Sequence, residues 1–460
     1  MTEKENKQKI VETSKYITAG GSLFEQIYDP KAKTSYYLGW DKKTEKTVMQ
    51  QKIEENNIIN LPIQDELLEK KAVLLPSNAI DYKDQEELQF QIDTYIQTWL
   101  DISDEHRHQA VWYIMLTWVI DKLHTIPYLR ALGDTGTGKT RYLDVIGGIC
   151  YKPMFVGGAV RSAPIYRVID LWRGTAILDE FTLSKSDESE DIIQILNNGY
   201  QRGKPVLRCK SGDYDKVNAF DPFGAKILAT RKRFTDRALE SRCVTEIMKI
   251  TGRTDVPIDL TSGFFKQRQE LRNQLLMYRF KNWESINPDE SITIDFGNIL
   301  PRIQQSLTPF TVLFQYDKDK LDWFVNYAKK YNNKIIEENA DSFDGRLFNA
   351  YLYLLQEHEQ TQETLDDYNY PTITTSSIKD VLVNDGWKAE DLSAVSIGRR
   401  LKTLGFENKP TLVAGKTKKI LLLADDRLKF LKRQYLITDI TDITDITEQA
   451  KKQKSSKNGV

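Results

Sequence analysis

"GDTGTGKT", residues 133–140, has the spacing Gly-x4-Gly-Lys-Thr. Glycines at those positions let successive backbone N–H groups wrap a phosphate at the start of a helix, whose dipole favours an anion there. Lys139 would reach the outer phosphates, and the Thr140 hydroxyl would ligate Mg²⁺. Gly133, Asp134, Thr135, Gly136, Thr137 and Gly138 would form the cradle itself. The context fits, because the apolar run "YLRAL" precedes the loop and "TRYLDVIGGI" reads as a helix after it.

A metal site needs a second anchor, and "GTAILDE" (174–180) supplies one as an apolar strand ending in two acids. Asp179 would complete the Mg²⁺ shell. Glu180 would orient and deprotonate the attacking water, since phosphoryl transfer is mostly positioning and electrostatics. Farther on, "AKILATRKRF" (225–234) gives another apolar strand ending on Thr230, placed to hold that water. Arg237 and Arg242 follow in "TDRALESRC". Either can serve a neighbouring subunit's phosphates, and for either the alternative is a surface salt bridge.

Alternating short strands and helices from 140 to 250 predict a parallel α/β sheet. Residues 86–124 carry apolar side chains at helical spacing, and so does "FFKQRQELRNQLLMYRFKNW" (264–283). His106 and His108 read as exposed residues at a helix start. The domains are read as 1–85, a small α+β accessory domain; 86–262, the ATPase core; 263–371, a helical lid and linker; 372–424; and 425–460, a charged helix and low-complexity tail. In that tail "ITDITDITDIT" (437–447) has a period of three, which matches neither helix nor strand.

Loop, acid strand, polar strand tip and downstream arginine together resemble the AAA+ ATPases over roughly residues 105–285. Ser241-Arg242-Cys243 is similar to the arginine-finger motif of clamp loaders, which favours Arg242 over Arg237. The longer strings "GGAVRSAPIYRVIDLWRGTAILDE", "LNNGYQRGKPVLRC", "FDPFGAKILATRKRFTDRALESR" and "LRNQLLMYRFKNW" resemble replicative helicases of plasmids, phages and integrated mobile elements, related to the minichromosome maintenance class. The resemblance implies ATP and Mg²⁺ as cofactors and a homo-oligomeric ring, expected as a hexamer, acting on DNA. It also implies a lid arginine, Arg272 or Arg279, near the γ-phosphate, with packing or solvent roles equally open.

"GKPVLRCKSGDYDKVNAFDPFG" (203–224) reads as a β-hairpin before the Thr230 strand. In ring helicases such hairpins carry basic residues to the strand, a role open here to Lys204, Arg208, Lys210 and Lys216. Asp213 and Asp215 at the tip shift the expectation toward Arg208 and Lys210; an ordinary surface hairpin is the alternative. At 372–424, helix, helix and two strands resemble a winged helix. It offers Arg399, Arg400 and Lys402 from the second helix, and Lys416, Lys418 and Lys419 from the wing, for phosphates or for protein contacts.

Composition narrows the rest. The net charge is −1, so nucleic-acid contact must be local. No apolar run approaches the roughly 20 residues of a membrane span. The N-terminal residues lack the apolar stretch of a secretory signal. Cys150, Cys209 and Cys243 form no CxxC pair, which fits a reducing, cytoplasmic setting. No primase signature is present, so priming would need a separate partner. The competing functions are a clamp-loader-like switch that remodels a protein and a non-enzymatic DNA-binding adaptor; intact Lys139 and Glu180 argue against the adaptor.

Overall fold

The computed structural model describes residues 9–157, 162–179, 187–210, 213–291, 294–314, 316–361, 371–413 and 416–436. Short apolar runs without polar alternation favour strands buried on both faces. Four such runs, β8 (Tyr128–Leu132), β9 (Pro153–Val156), β10 (Thr175–Leu178) and β13 (Lys226–Thr230), form one parallel sheet with the more exposed edge strand β14 (Cys243–Ile247), in the order β14-β8-β13-β10-β9. The chain is thus an α/β protein built on a P-loop-like sheet. β13 lies between β8 and β10, with Thr230 abreast of Leu132 and Leu228 abreast of Leu178. Thr230, Asp179 and the loop therefore come together at the carboxyl end of the sheet, although the sequence separates them widely.

Among the described residues seven strands precede this sheet. β2 (Lys15–Ile17), β3 (Leu23–Asp29), β4 (Thr34–Asp41) and β5 (Lys46–Gln50) form an antiparallel sheet. β1 (Lys9–Glu12), β6 (Ile53–Glu55) and β7 (Ile58–Leu61) form another, in which β1 runs parallel to β7. After α1 (Glu66–Glu69), Val73 bridges Met154, so this segment extends the main sheet at its β9 edge. Helices α2 (Gln85–Trp99), α3 (Asp104–Thr117), α4 (Lys139–Tyr142), α5 (Ser162–Trp172) and α6 (Asp187–Gly199) follow in chain order. The hairpin is present as β11 (Val206–Lys210) and β12 (Asp213–Phe220). α7 (Arg237–Glu240) precedes β14, and the long helix α8 (Ser262–Asn282) follows it.

The chain divides into two compact units, Met1–Asp295 with Gln304–Leu321, and Phe296–Ile303 with Asp322–Val460. α9 (Pro288–Ser291), α10 (Pro301–Leu307) and α11 (Lys318–Asp341) lie along the chain where the division falls. In the second unit α12 (Phe343–Thr361), α13 (Thr375–Asn384), α14 (Ala394–Leu404) and α15 (Asp425–Tyr435) accompany the antiparallel pair β15 (Glu407–Val413) and β16 (Lys416–Leu422). Phe348, Ile378, Ile397, Leu401, Leu421 and Leu431 share its core. Ser393 is the N-cap of α14, and Gly405 ends the helix in the left-handed region. Among the described residues no helix is long and apolar enough to cross a membrane. Residues 437–447 lie outside the described residues.

The first unit holds a buried ionic cluster that sequence spacing does not reveal. Glu25 on β3 meets Lys152 at 2.9 Å and Arg279 of α8 at 2.7 Å. Arg279 also contacts both oxygens of Asp121, at 2.8 and 2.9 Å, and Lys15 reaches Asp121 at 2.8 Å. Burial pushes the Glu25 carboxyl up, but Lys152 and Arg279 outweigh it and hold it below the usual range. Asp121 is likewise held well below that range, chiefly by Arg279 against the opposing effect of burial. Arg279→Ala would leave Glu25 to Lys152 and Asp121 to Lys15, and removing one partner of a buried pair typically costs about 3–5 kcal/mol. Urea unfolding at neutral pH should show a loss of that size. Both carboxylates have lowered folded-state values, so their contribution is full above the unfolded value and fades as pH falls through the folded one. The deficit of the variant should therefore shrink in acid; an equal deficit at every pH would refute the ionic explanation.

Candidate functional site

Gly136 and Gly138 have φ of 83° and 87°, left-handed values that a side chain resists. They turn the loop back on itself before α4. The Asp134 carbonyl accepts from Lys139 Nζ at 2.6 Å and from Thr137 Oγ1 at 2.7 Å. Gly133 N donates to the Thr230 carbonyl at 3.1 Å, tying the loop to the tip of β13. Beyond Tyr142 the helix widens into a π-type turn over Leu143–Gly147.

Thr140 Oγ1 donates to Asp179 Oδ2 at 3.1 Å. A hydroxyl and a carboxylate side by side are hard oxygen donors of the kind Mg²⁺ accepts alongside water and phosphate oxygens. Among the described residues there is no group of three or more His, Cys, Asp or Glu side chains arranged to hold a metal. Thr230 is buried, and among the described residues its Oγ1 has no hydrogen-bond partner. A buried hydroxyl without a partner is costly in a folded protein, and here it lies at the strand tip next to the loop. Lys139, Thr140, Asp179 and Thr230 are thus brought to one end of the sheet. Glu180 lies outside the described residues.

Arg242 follows α7. Its guanidinium donates to the Asn197 side chain, stands 5.2 Å from the Tyr200 ring, and leaves Nε buried with no hydrogen-bond partner among the described residues. Arg237 is exposed. Asn197 and Tyr200 were not singled out from the sequence; they lie within "LNNGYQRGKPVLRC", but nothing in that string indicates which side chain they would meet.

The basic residues of the hairpin divide. Lys204 and Lys216 are exposed. Arg208 turns back onto the protein, with its guanidinium 3.2 Å from Asp191 of α6 and 5.6 Å from the Tyr166 ring of α5. A carboxylate and an aromatic face within reach hold it there. The Lys210 side chain lies outside the described residues. On the opposite face of the hairpin Leu207 and Val217 are both 59% exposed. In the second unit Arg399, Arg400, Lys402, Lys416, Lys418 and Lys419 are exposed, and Arg400 Nε lies 3.8 Å from Asp344.

One expectation needs correction. His106 is buried, against Tyr142 Oη at 2.7 Å and Gln109 at 3.1 Å, because Tyr142 just beyond the loop offers it a polar partner. His108 is exposed as expected. Of the roles left open for Arg272 and Arg279, packing is the one observed. Arg279 is in the ionic cluster, and Arg272 donates to the Gly148 carbonyl at 2.6 Å.

No family model matches the chain, and no curated protein matches it. Among solved structures it is similar to one described as SCCmec type IV Cch, active helicase, at 11% identity over 92% of this chain and 80% of that one, TM-score 0.43. It is also similar to the apo NrS-1 C-terminal region, at 11% identity over 87% and 96%, TM-score 0.34. A third is a full-length MCM homolog from Methanopyrus kandleri, at 10% identity over 65% and 73%, TM-score 0.32. Likenesses this loose carry no assignment for the chain.

Proposed function

We propose that this chain is an AAA+ ATPase that assembles as a ring, a hexamer by resemblance, and uses ATP hydrolysis to unwind or translocate along DNA in the replication of a mobile element. The observation that carries this reading is the Thr140–Asp179 contact at 3.1 Å beside Lys139, with Thr230 on the strand between the loop and Asp179. Thr140 and Asp179 would hold Mg²⁺, which would neutralise phosphate charge. Lys139 and the amides of 133–140 bind the phosphates, Glu180 activates water, Thr230 orients it, and Arg242 of an adjoining copy completes the site.

The domains are taken as 1–85, 86–262, 263–371, 372–424 and 425–460, with 372–424 a winged helix. Its exposed cations would hold DNA backbone through α14 and the β15–β16 wing. The hairpin supports a motor acting on a strand, with Lys204 and Lys216 better placed for phosphates than Arg208. The inward turn of Arg208 is the observation that favours the second reading, a clamp-loader-like switch acting on protein. The proposed setting is the cytoplasm, with a separate primase as partner.

Sedimentation of the full chain with and without ATP and single-stranded DNA, alongside ATPase assays, tests the reading. Assembly promoted by ATP and hydrolysis stimulated by DNA are expected. A monomer whose ATPase ignores DNA would refute it.

A further inference from the structure

Lys226 opens β13 and is fully buried. Its ammonium donates to three main-chain carbonyls, those of Pro222 and Gly224 at 2.9 Å each and that of Gly199 at 3.3 Å. Three donors thus meet three acceptors. Nζ also stands 4.9 Å from the Tyr128 ring. Burial pulls the amine down to about 7, against the opposing charge of Asp221. A buried ammonium is expensive to keep, and an apolar side chain would fill the same space.

What the ammonium joins gives it a role. Gly199 ends α6, where the chain departs for the hairpin; Pro222 and Gly224 are where it returns. One side chain therefore fastens both feet of the hairpin to the first residue of β13. The approach is so close that a Cβ on Gly199 would lie 2.5 Å from Lys226 Nζ and 2.5 Å from the Pro222 carbonyl oxygen. Tyr113 Oη holds both the N–H and the carbonyl of Lys226, at 3.0 Å each. From there β13 runs buried to Thr230, paired with β8 on one side and β10 on the other. The hairpin feet and Thr230 are the two ends of one short, fully paired strand.

We propose that Lys226 is a positioning residue that couples the hairpin to the nucleotide end of β13, so that engagement of a DNA strand by the hairpin is felt at Thr230. This rests on the reading of the hairpin as a DNA-contacting element. Without the ammonium the three carbonyls lose their common donor, and the departing foot is left with the main-chain bond from Gly224 N to the Gly199 carbonyl at 3.2 Å, a weaker link between hairpin and strand.

The test uses the full chain with poly(dT) as the DNA. In Lys226→Met, basal ATPase and the affinity for poly(dT), read by direct equilibrium binding, should stay within about twofold of the parent, while the stimulated increase in kcat is lost. Gly199→Ala, which crowds the ammonium but keeps it, should lose stimulation in the same way and guards against a Lys226→Met protein that does not fold. A Lys204→Ala/Lys216→Ala variant is run alongside. If that variant loses stimulation while both foot variants keep it, the coupling role is overturned, whatever the change in melting temperature. If the Lys204→Ala/Lys216→Ala variant keeps full stimulation, the reading of the hairpin as a DNA element fails first, and the coupling role falls with it.

Discussion

Replacing Arg242 with Ala should leave ATP binding intact and lower hydrolysis by about 10³-fold or more, the scale on which arginine fingers act. Among the described residues its side-chain partners are Asn197 and Tyr200, on α6 and just beyond it, so its removal does not disturb the loop at 133–140. The loss should be repairable from outside. An Arg242→Ala copy retains Glu180, and a Glu180→Gln copy retains Arg242. Wherever the two adjoin in the right order, one complete site forms. Mixtures should regain ATPase that neither variant has alone. If mixed assemblies are demonstrated and no activity returns, Arg242 does not act in trans.

Glu180→Gln should bind ATP and Mg²⁺ as the parent does and hydrolyse about 10²–10⁴-fold more slowly, the range expected for a lost general base. The amide keeps the size of the carboxylate but cannot take a proton from water. Lys139→Ala separates binding from chemistry, since Lys139 Nζ lies at the loop, 2.6 Å from the Asp134 carbonyl, and its loss should weaken nucleotide affinity itself. Equilibrium binding of a fluorescent ATP analogue, read beside phosphate release, distinguishes the two. Parent-like hydrolysis by Glu180→Gln would remove Glu180 from the mechanism.

The loop, the acid strand, the Thr230 strand, the hairpin and the paired helices with their β-hairpin at the C-terminal end were all legible from the sequence. Each rests on a local pattern: a fixed glycine spacing, an apolar run, a turn between two β-forming segments. What escaped was pairing over distance. That β13 inserts between β8 and β10 follows from the packing of the whole sheet, and no single strand encodes it. Arg208 is simply a cation on a strand until Asp191 and Tyr166 are brought beneath it. His106 sits three residues after the N-cap Ser103, where exposure is the ordinary outcome, and Tyr142 and Gln109 make its burial tolerable. Arg279 lies on an evident helix, but its partners Glu25 and Asp121 are 254 and 158 residues away in sequence. Lys226 looks like the polar start of a strand; its three carbonyls become visible only when the feet of the hairpin close around it.

The central claim is that this chain converts ATP hydrolysis into work on DNA. Unwinding of a forked duplex by the purified chain, followed as strand separation over time, tests it most directly. The account predicts unwinding with ATP and Mg²⁺, none with a non-hydrolysable analogue, and none by Glu180→Gln. A parent protein that assembles and hydrolyses ATP under DNA stimulation, yet neither separates strands nor displaces a protein block from single-stranded DNA, would contradict it and put the protein-remodelling switch in its place.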